Sequence, residues 1–266
     1  MGKKNKIGQK NKTGQKNNTS KSNKINEFLL FMHIPKTAGQ SLRGVIKKQY
    51  NLEETYRCPF MEEEVVKLSD EFRNSLKFIY GHFLFGTHEY FPKPFTYITM
   101  LRDPVERFIS AYYHILLVPT NRWHEKVKGM SLEEFIDSDD FNLQAEPNVQ
   151  TRFFCGKEPL SLETAKKNMA EHFSVVGITE LFAESLFLMK ERFGWEEIQY
   201  RTKNAGKNRP KKEKVPQNVR DKIAAKNHLD IELYKYARKQ FEEKIQALDA
   251  KTLQEMDAFK KSLSKM

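Results

Sequence analysis

The sequence predicts an α/β fold: a mostly parallel sheet flanked by helices, with a helical C-terminal end. Three observations predict it. Short apolar runs each close in a turn and lead into a helical pattern, several of those turns carry helix-start residues, and residues 230–263 read as a long or broken amphipathic helix. With 266 residues, 39% of them hydrophobic, the chain is long enough to bury a sizeable core.

In chain order, residues 1–26 come first, with eight lysines and no acid, so they hold +8 of the net +11. They include the tandem hexapeptide Lys6-Ile7-Gly8-Gln9-Lys10-Asn11 and Lys12-Thr13-Gly14-Gln15-Lys16-Asn17. Such a segment buries too little apolar area to offset its ordering entropy, so a disordered basic tail is expected, followed by one domain over 27–266. The tail reads as a solubilising leader more readily than as an arm for an anionic partner.

Strands are expected at Phe28–Ile34, Phe78–Tyr80, Thr96–Leu101 and Ser174–Ile178. A helix from about Gly39 to Tyr50 puts Leu42, Val45, Ile46 and Tyr50 on one face. Another opens at Asp103-Pro104, where Asp suits the N-cap, Pro suits the first helical position and Glu106 falls at the capping-box position. Ser131 with Glu134 marks a third start, and Thr179 precedes a helix over Glu180–Phe193 that Gly194 ends.

Beyond residue 26 the chain is nearly neutral, with 38 basic against 35 acidic residues. The high pI is therefore no sign of a nucleic-acid surface, and none is expected. A second basic stretch, Arg201 to Lys226, suits either an acidic glycan, closure over a nucleotide, or a solvated linker. Cys58 and Cys155 stand far apart without zinc spacing, which fits thiols in a reducing compartment. The longest apolar run, Phe28 to Ile34, is about a third of the roughly 20 residues a membrane helix needs. No secretory pattern precedes it, and Lys6 stands where a myristoylation signal wants Ser or Thr, so a soluble cytoplasmic protein is expected.

In an open parallel sheet, ligands lie beyond the C-terminal strand ends, where helices begin and present unpaired N–H groups. Two segments have that form. In the first, strand Phe28–Ile34 runs through Pro35-Lys36-Thr37-Ala38-Gly39-Gln40-Ser41 into a helix. Pro35 ends the strand, Gly39 lets backbone approach a ligand, Thr37 and Ser41 offer hydroxyls and Lys36 adds a cation. An anion is expected on that helix N-terminus, a P-loop-like device. In the second, Arg102 leaves strand Thr96–Leu101 beside a helix on which Arg107, Ser110 and His114 share one face. Arg102 and Ser110 suit a second phosphate, while Arg107 also suits pairing with a carboxylate. Phe108, Ile109, Tyr112 and Tyr113 read as core.

These two segments resemble the PAPS-dependent carbohydrate sulfotransferases, the group that includes heparan sulfate 2-O-sulfotransferases and their bacterial relatives. His33-Ile34-Pro35-Lys36-Thr37-Ala38-Gly39-Gln40-Ser41 is similar to that family's 5′-phosphosulfate loop, and Arg102 through Ser110 to its 3′-phosphate motif. The family frequently has Thr where this chain has Gln40. The resemblance continues through Asn148 to Phe153, Val176 to Glu180 and Asp230 to Tyr236.

The resemblance implies 3′-phosphoadenosine 5′-phosphosulfate (PAPS) as donor and a hydroxyl, usually on a sugar, as acceptor. It puts Lys36 through Ser41 on the 5′-phosphosulfate and Arg102 with Ser110 on the 3′-phosphate. Lys36 is expected to stabilise the departing phosphate oxygen, where charge develops. No metal is expected. An acceptor hydroxyl needs a general base, and the candidate is His82 in Phe78-Ile79-Tyr80-Gly81-His82-Phe83, which resembles the Gly-His step of the glycan 2-O-sulfotransferases. His88 is the rival, and His33 reads as structural.

Two other functions remain open on the sequence. A P-loop kinase or nucleotide hydrolase wants G-x-x-x-x-G-K-[ST], and no Gly precedes Lys36 within its loop. A non-enzymatic anionic-glycan-binding protein would use the basic tail and loop, with affinity that falls steeply with salt and indifference to Lys36.

Overall fold

The computed structural model describes residues 27–58, 63–138, 145–200 and 215–263. The expected tail at 1–26, with its hexapeptide repeat, and residues 201–214 of the second basic stretch lie outside the described residues.

Five strands form one sheet in the order β2-β3-β1-β4-β5: β1 (Phe28–Met32), β2 (Thr55–Cys58), β3 (Phe78–Gly81), β4 (Phe95–Leu101) and β5 (Phe173–Ile178). All four pairings are parallel. The helices of the described residues are α1 (Gly39–Ile46), α2 (Glu63–Val66), α3 (Asp70–Ser75), α4 (Pro104–Leu117), α5 (His124–Val127), α6 (Leu132–Asp137), α7 (Val149–Cys155), α8 (Leu162–His172), α9 (Phe182–Phe193), α10 (Gln217–Lys226), α11 (His228–Gln246) and α12 (Ala250–Leu263). None of them is long and apolar enough to cross a membrane.

Parallel sheets need cover on both faces, and the strand residues divide accordingly. Leu30, Met32, Ile79, Tyr97 and Leu101 pack with Phe153, Phe154, Ala165, Met169, Leu233 and Phe241 from α7, α8 and α11. Leu29, Phe31, Phe78, Ile98 and Val175 pack on the other face with Leu42, Val45 and Ile46 of α1 and Leu186, Met189 and Phe193 of α9. Every residue of β1 is buried, as its unbroken apolar run requires. A third cluster holds α4, α6 and α10 together through Phe108, Ile109, Phe135, Val219 and Ile223.

Four of the five strands fall where the apolar runs put them, with ends moved by one or two residues. β1 stops at Met32 rather than Ile34, although the His33 N–H still donates to Gly81 O at 2.8 Å; Pro35 then has no N–H to offer. The fifth, β2, is a half-exposed edge strand with no continuous apolar run. α1 ends at Ile46, because Lys48 and Gln49 turn back three residues to Val45 and Ile46 and tighten the chain. The expected helix over 230–263 is broken at 247–249, and α11 begins two residues earlier, at His228. Three short 3₁₀-turn residues, Thr179–Leu181, precede α9, and Gly194 closes it at φ 69°. Ser131 and Glu134 form the reciprocal capping box of α6.

Candidate functional site

Parallel pairing puts the C-terminal ends of β3, β1 and β4 side by side, so His82, the Pro35–Ser41 loop and Arg102 emerge along one edge of the sheet. The two anion motifs touch. Arg102 Nη1 donates to the Lys36 carbonyl at 3.1 Å.

Between β1 and α1, Lys36 (φ 70°) and Ala38 (φ 62°) both adopt the left-handed conformation that residues with a Cβ avoid. Such strain collects at ligand-binding turns, where it sets the direction of the N–H groups. Thr37 between them is 1% exposed, and its hydroxyl donates to Ile34 O at 2.8 Å. That hydroxyl fixes the loop from inside, so what Thr37 presents to a ligand is its backbone. Ala38 supplies no side-chain cap and the first turn of α1 carries no acid, so the helix N-terminus presents the N–H groups of Gly39 and Gln40 with no carboxylate competing for an anion. Gln40 is exposed, Ser41 is nearly buried and Lys36 is half-buried.

Gly39 has a second reason to be glycine. A Cβ on it would fall 1.9 Å from His33 Cδ2 and 2.0 Å from His33 Nε2. The His33 ring therefore lies against the start of α1, and its centroid is 4.4 Å from that of His82, with the rings 30° apart. His82 Nδ1 stands 2.6 Å from the His33 carbonyl. A carbonyl only accepts, so Nδ1 carries the proton and Nε2 keeps its lone pair in the neutral ring. Burial pushes the His82 pKa below the ordinary 6.5, the bond to His33 pulls it up, and Arg57 and Arg43 push it down. His33 falls well below its ordinary value, chiefly through burial and then through His82, Arg43 and Lys36.

His88 lies elsewhere. Its ring stacks on Phe95 at 4.1 Å, its Nδ1 meets the Tyr97 hydroxyl at 3.0 Å, and Phe95 begins β4. Six residues of strand, about 20 Å, separate that end from Arg102.

On α4, Asp103 accepts from the Glu106 N–H at 2.9 Å and Pro104 occupies the first turn, as the sequence requires. The reciprocal half of the capping box differs: the Asp103 N–H donates to Glu180 at 3.2 Å, and the Glu106 carboxylate pairs with Arg220 of α10 at 3.0 Å. Arg107 is fully buried opposite Asp230; burial pushes its pKa down to about 10, which still leaves it a cation at neutral pH. Ser110 is half-buried one turn further along that face, between Arg107 and His114. His114 is close enough to Lys36 for the lysine's charge to add to burial in lowering its pKa. Its spacing on the Arg107–Ser110 face was a signal that it belongs near the site.

Sequence reasoning also left Gln150 and Asp230 without a role. The Gln150 carboxamide accepts from the Arg102 N–H at 3.0 Å and donates to the Arg102 carbonyl at 2.9 Å. Asp230 is fully buried and accepts from the N–H groups of Gln150 (3.1 Å) and Thr151 (2.7 Å) and from the Thr151 hydroxyl (2.8 Å). Of the second basic stretch, the described cations Arg220, Lys222 and Lys226 pair with Glu106 and Asp137. Among the described residues no group of His, Cys, Asp and Glu could hold a metal ion.

A sequence model described as the sulfotransferase family matches residues 24–237, most of the chain and all of the motifs above. The chain belongs to the sulfotransferase family. Two relatives of this sulfotransferase-family chain are the human (Homo sapiens) heparan-sulfate 6-O-sulfotransferases 2 and 1. The first is 26% identical over 204 residues, covering 60% of this chain and 32% of the relative; the second is 28% identical over 197 residues, covering 58% and 45%. Heparan-sulfate 6-O-sulfotransferase 3-B of Danio rerio is 25% identical over 194 residues, covering 60% and 46%. The chain thus spans between about a third and a half of the length of these curated relatives. Their names carry the 6-O position, where the sequence motifs had pointed to the 2-O branch of the same carbohydrate group.

Proposed function

We propose that the chain is a PAPS-dependent O-sulfotransferase acting on a carbohydrate hydroxyl. The observation that carries this reading is the hydrogen bond from Arg102 to the Lys36 carbonyl, which joins the two anion motifs in one crevice. Family membership and the names of the relatives support the same chemistry.

When bound, PAPS supplies a sulfuryl group whose bond to the 5′-phosphate oxygen breaks as the acceptor oxygen bonds to sulfur. Lys36 and the N-terminus of α1 hold the negative charge left on that oxygen. The backbone of Thr37 to Ser41 cradles the 5′-phosphosulfate, and Arg102 with Ser110 clasps the 3′-phosphate, a group ATP lacks. His82 Nε2 takes the acceptor proton, ready to do so because burial keeps the ring neutral and the His33 carbonyl keeps the proton on Nδ1. His88, at the far end of β4, has no path to that proton. Arg57 and Arg43 surround the base with positive charge, which favours an anionic glycan as acceptor. A reducing compartment such as the cytoplasm belongs to the same proposal, on the ground that Cys58 and Cys155 stand far apart in the sequence without zinc spacing.

The test is twofold. 3′,5′-Bisphosphoadenosine is expected to raise the melting temperature well above the shifts given by ADP and ATP, since only native-state binding stabilises. Equal shifts would favour a general nucleotide-binding protein. Labelled PAPS with neutral and acidic glycans, lipids and small alcohols then identifies the acceptor class, and transfer only to non-carbohydrates would reject the carbohydrate reading.

A further inference from the structure

Three stretches outside the two motifs, Asn148 to Phe153, Val176 to Glu180 and Asp230 to Tyr236, have no part in the chemistry above, yet the first two bond to the turn between β4 and α4 and the third bonds to both of them. Gln150 holds both backbone polar groups of Arg102, as a carboxamide can do with one acceptor and one donor. Glu180 accepts the next N–H, that of Asp103, at 3.2 Å, and its other oxygen accepts from the Tyr234 hydroxyl at 3.0 Å.

Behind these two holds stands α11. Asp230 accepts the N–H groups of Gln150 and Thr151 at the start of α7, and Asn148 in turn accepts the N–H groups of Leu229 (2.9 Å) and Asp230 (3.2 Å) at the start of α11. The two helix N-termini cap each other, so neither can shift without the other. Burial raises the pKa of Asp230, and the Arg107 cation together with the donors of Thr151 and Gln150 pulls it back down, so the carboxylate depends on these partners.

We propose that Gln150 and Glu180, braced by Asp230 and Tyr234 of α11, are positioning residues that hold the backbone of Arg102 and Asp103 so that the Arg102 guanidinium meets the 3′-phosphate of the donor. The inference rests on the donor reading above. An arginine on an untethered turn would spend part of its binding free energy on ordering; a turn clamped at both N–H groups meets the phosphate already oriented. The clamp thereby governs discrimination between nucleotides with and without a 3′-phosphate more than it governs the 5′-phosphate loop, which has its own anchor in Thr37 on Ile34 besides the Arg102 bond to the Lys36 carbonyl.

The experiment measures affinity for 3′,5′-bisphosphoadenosine and for adenosine 5′-phosphate in the wild type, Gln150→Met and Glu180→Leu. Glu180 is exposed, so its variant tests the clamp even where loss of the buried Gln150 prevents folding. In Gln150→Met the preference for the bisphosphate is expected to fall about tenfold, the worth of one to two neutral hydrogen bonds, with adenosine 5′-phosphate affinity changing by a smaller factor through the Arg102 bond to the Lys36 carbonyl. Glu180→Leu is expected to shift the preference in the same direction by a smaller factor. Folded variants that keep the wild-type preference, or that lose affinity for both nucleotides equally, would overturn the positioning role. A wild type with no preference between the two would instead bring down the donor reading and this inference with it.

Discussion

The rings of His33 and His82 stack with centroids 4.4 Å apart, and the backbone carbonyl of the first fixes the proton on Nδ1 of the second. The pair links the loop after β1 to the end of β3. The proposed base and the proposed donor loop therefore share one contact, and replacing His82 separates its two consequences. His82→Ala is expected to lower sulfate transfer by about 10²–10⁴-fold, the usual worth of a positioned general base, while bisphosphoadenosine affinity stays near wild type. Turnover at the wild-type rate would remove His82 from the base role.

The pH dependence of transfer follows from the same ring. A base must be neutral to accept a proton, and burial pushes the His82 pKa below 6.5, so the midpoint of the acid limb is expected below pH 6.5. A kcat/KM profile whose acid limb has its midpoint above pH 6.5 would contradict this.

Stability is expected to depend on pH with the same sign. His33, His82, His88 and His114 all have folded-state pKa values below the ordinary 6.5, burial being the largest cause in each. As pH falls below 6.5 the unfolded chain takes up protons that the folded one refuses, so stability is lost from about pH 6.5 down to the lowered values, below which both states are protonated. Melting temperatures between pH 7 and 5 should decline, and His33→Phe, which keeps a ring against His82 without titrating, should flatten the decline. A melting temperature level over that range would rule it out.

Gly39→Ala places a methyl group where the His33 ring lies. The expected cost is about 1–3 kcal/mol, as for overpacking generally, together with reduced transfer because a displaced His33 moves His82. Thermal unfolding and turnover measured side by side check both, and wild-type values in both would show that the ring contact carries nothing.

Lys36 permits charge and backbone to be separated, because its φ is 70°. Lys36→Ala removes the cation and keeps the strain; Lys36→Gly removes both. Each is expected to lose about 10²–10³-fold in transfer, a typical loss for one group that stabilises developing charge. The glycine variant should be the more stable of the two by about 1 kcal/mol, less what glycine adds to the entropy of the unfolded chain.

Much of this was legible in the sequence, and for a physical reason. β1, β3 and β4 are buried on both faces almost throughout, which forces continuous apolar runs such as Phe28 to Ile34, and β5 keeps an apolar run although Ser174 and Val176 are only partly buried; β2 is a half-exposed edge strand containing Arg57 and makes no such demand. The strand–turn–helix position of Lys36 and Arg102, and the place of His82 directly after a strand, were legible too. What the sequence hid are relationships with no local spacing. Asp230 reaches Gln150 across 80 positions, and the pressure of His33 on Gly39 exists only once α1 has packed. His114 was visible as a face-mate of Ser110 but had nothing to single it out until Lys36 stood near it.

The mutual capping of α7 and α11 joins parts of the chain that are far apart in sequence. Every side chain proposed to touch the donor lies at or before Ser110, whereas the proposed brace of Arg102 draws on Asp230 and Tyr234, so a chain halted between the two would contain the donor-contacting side chains and lack the brace. On the proposed reading, such a chain would discriminate for the 3′-phosphate less well than the full one.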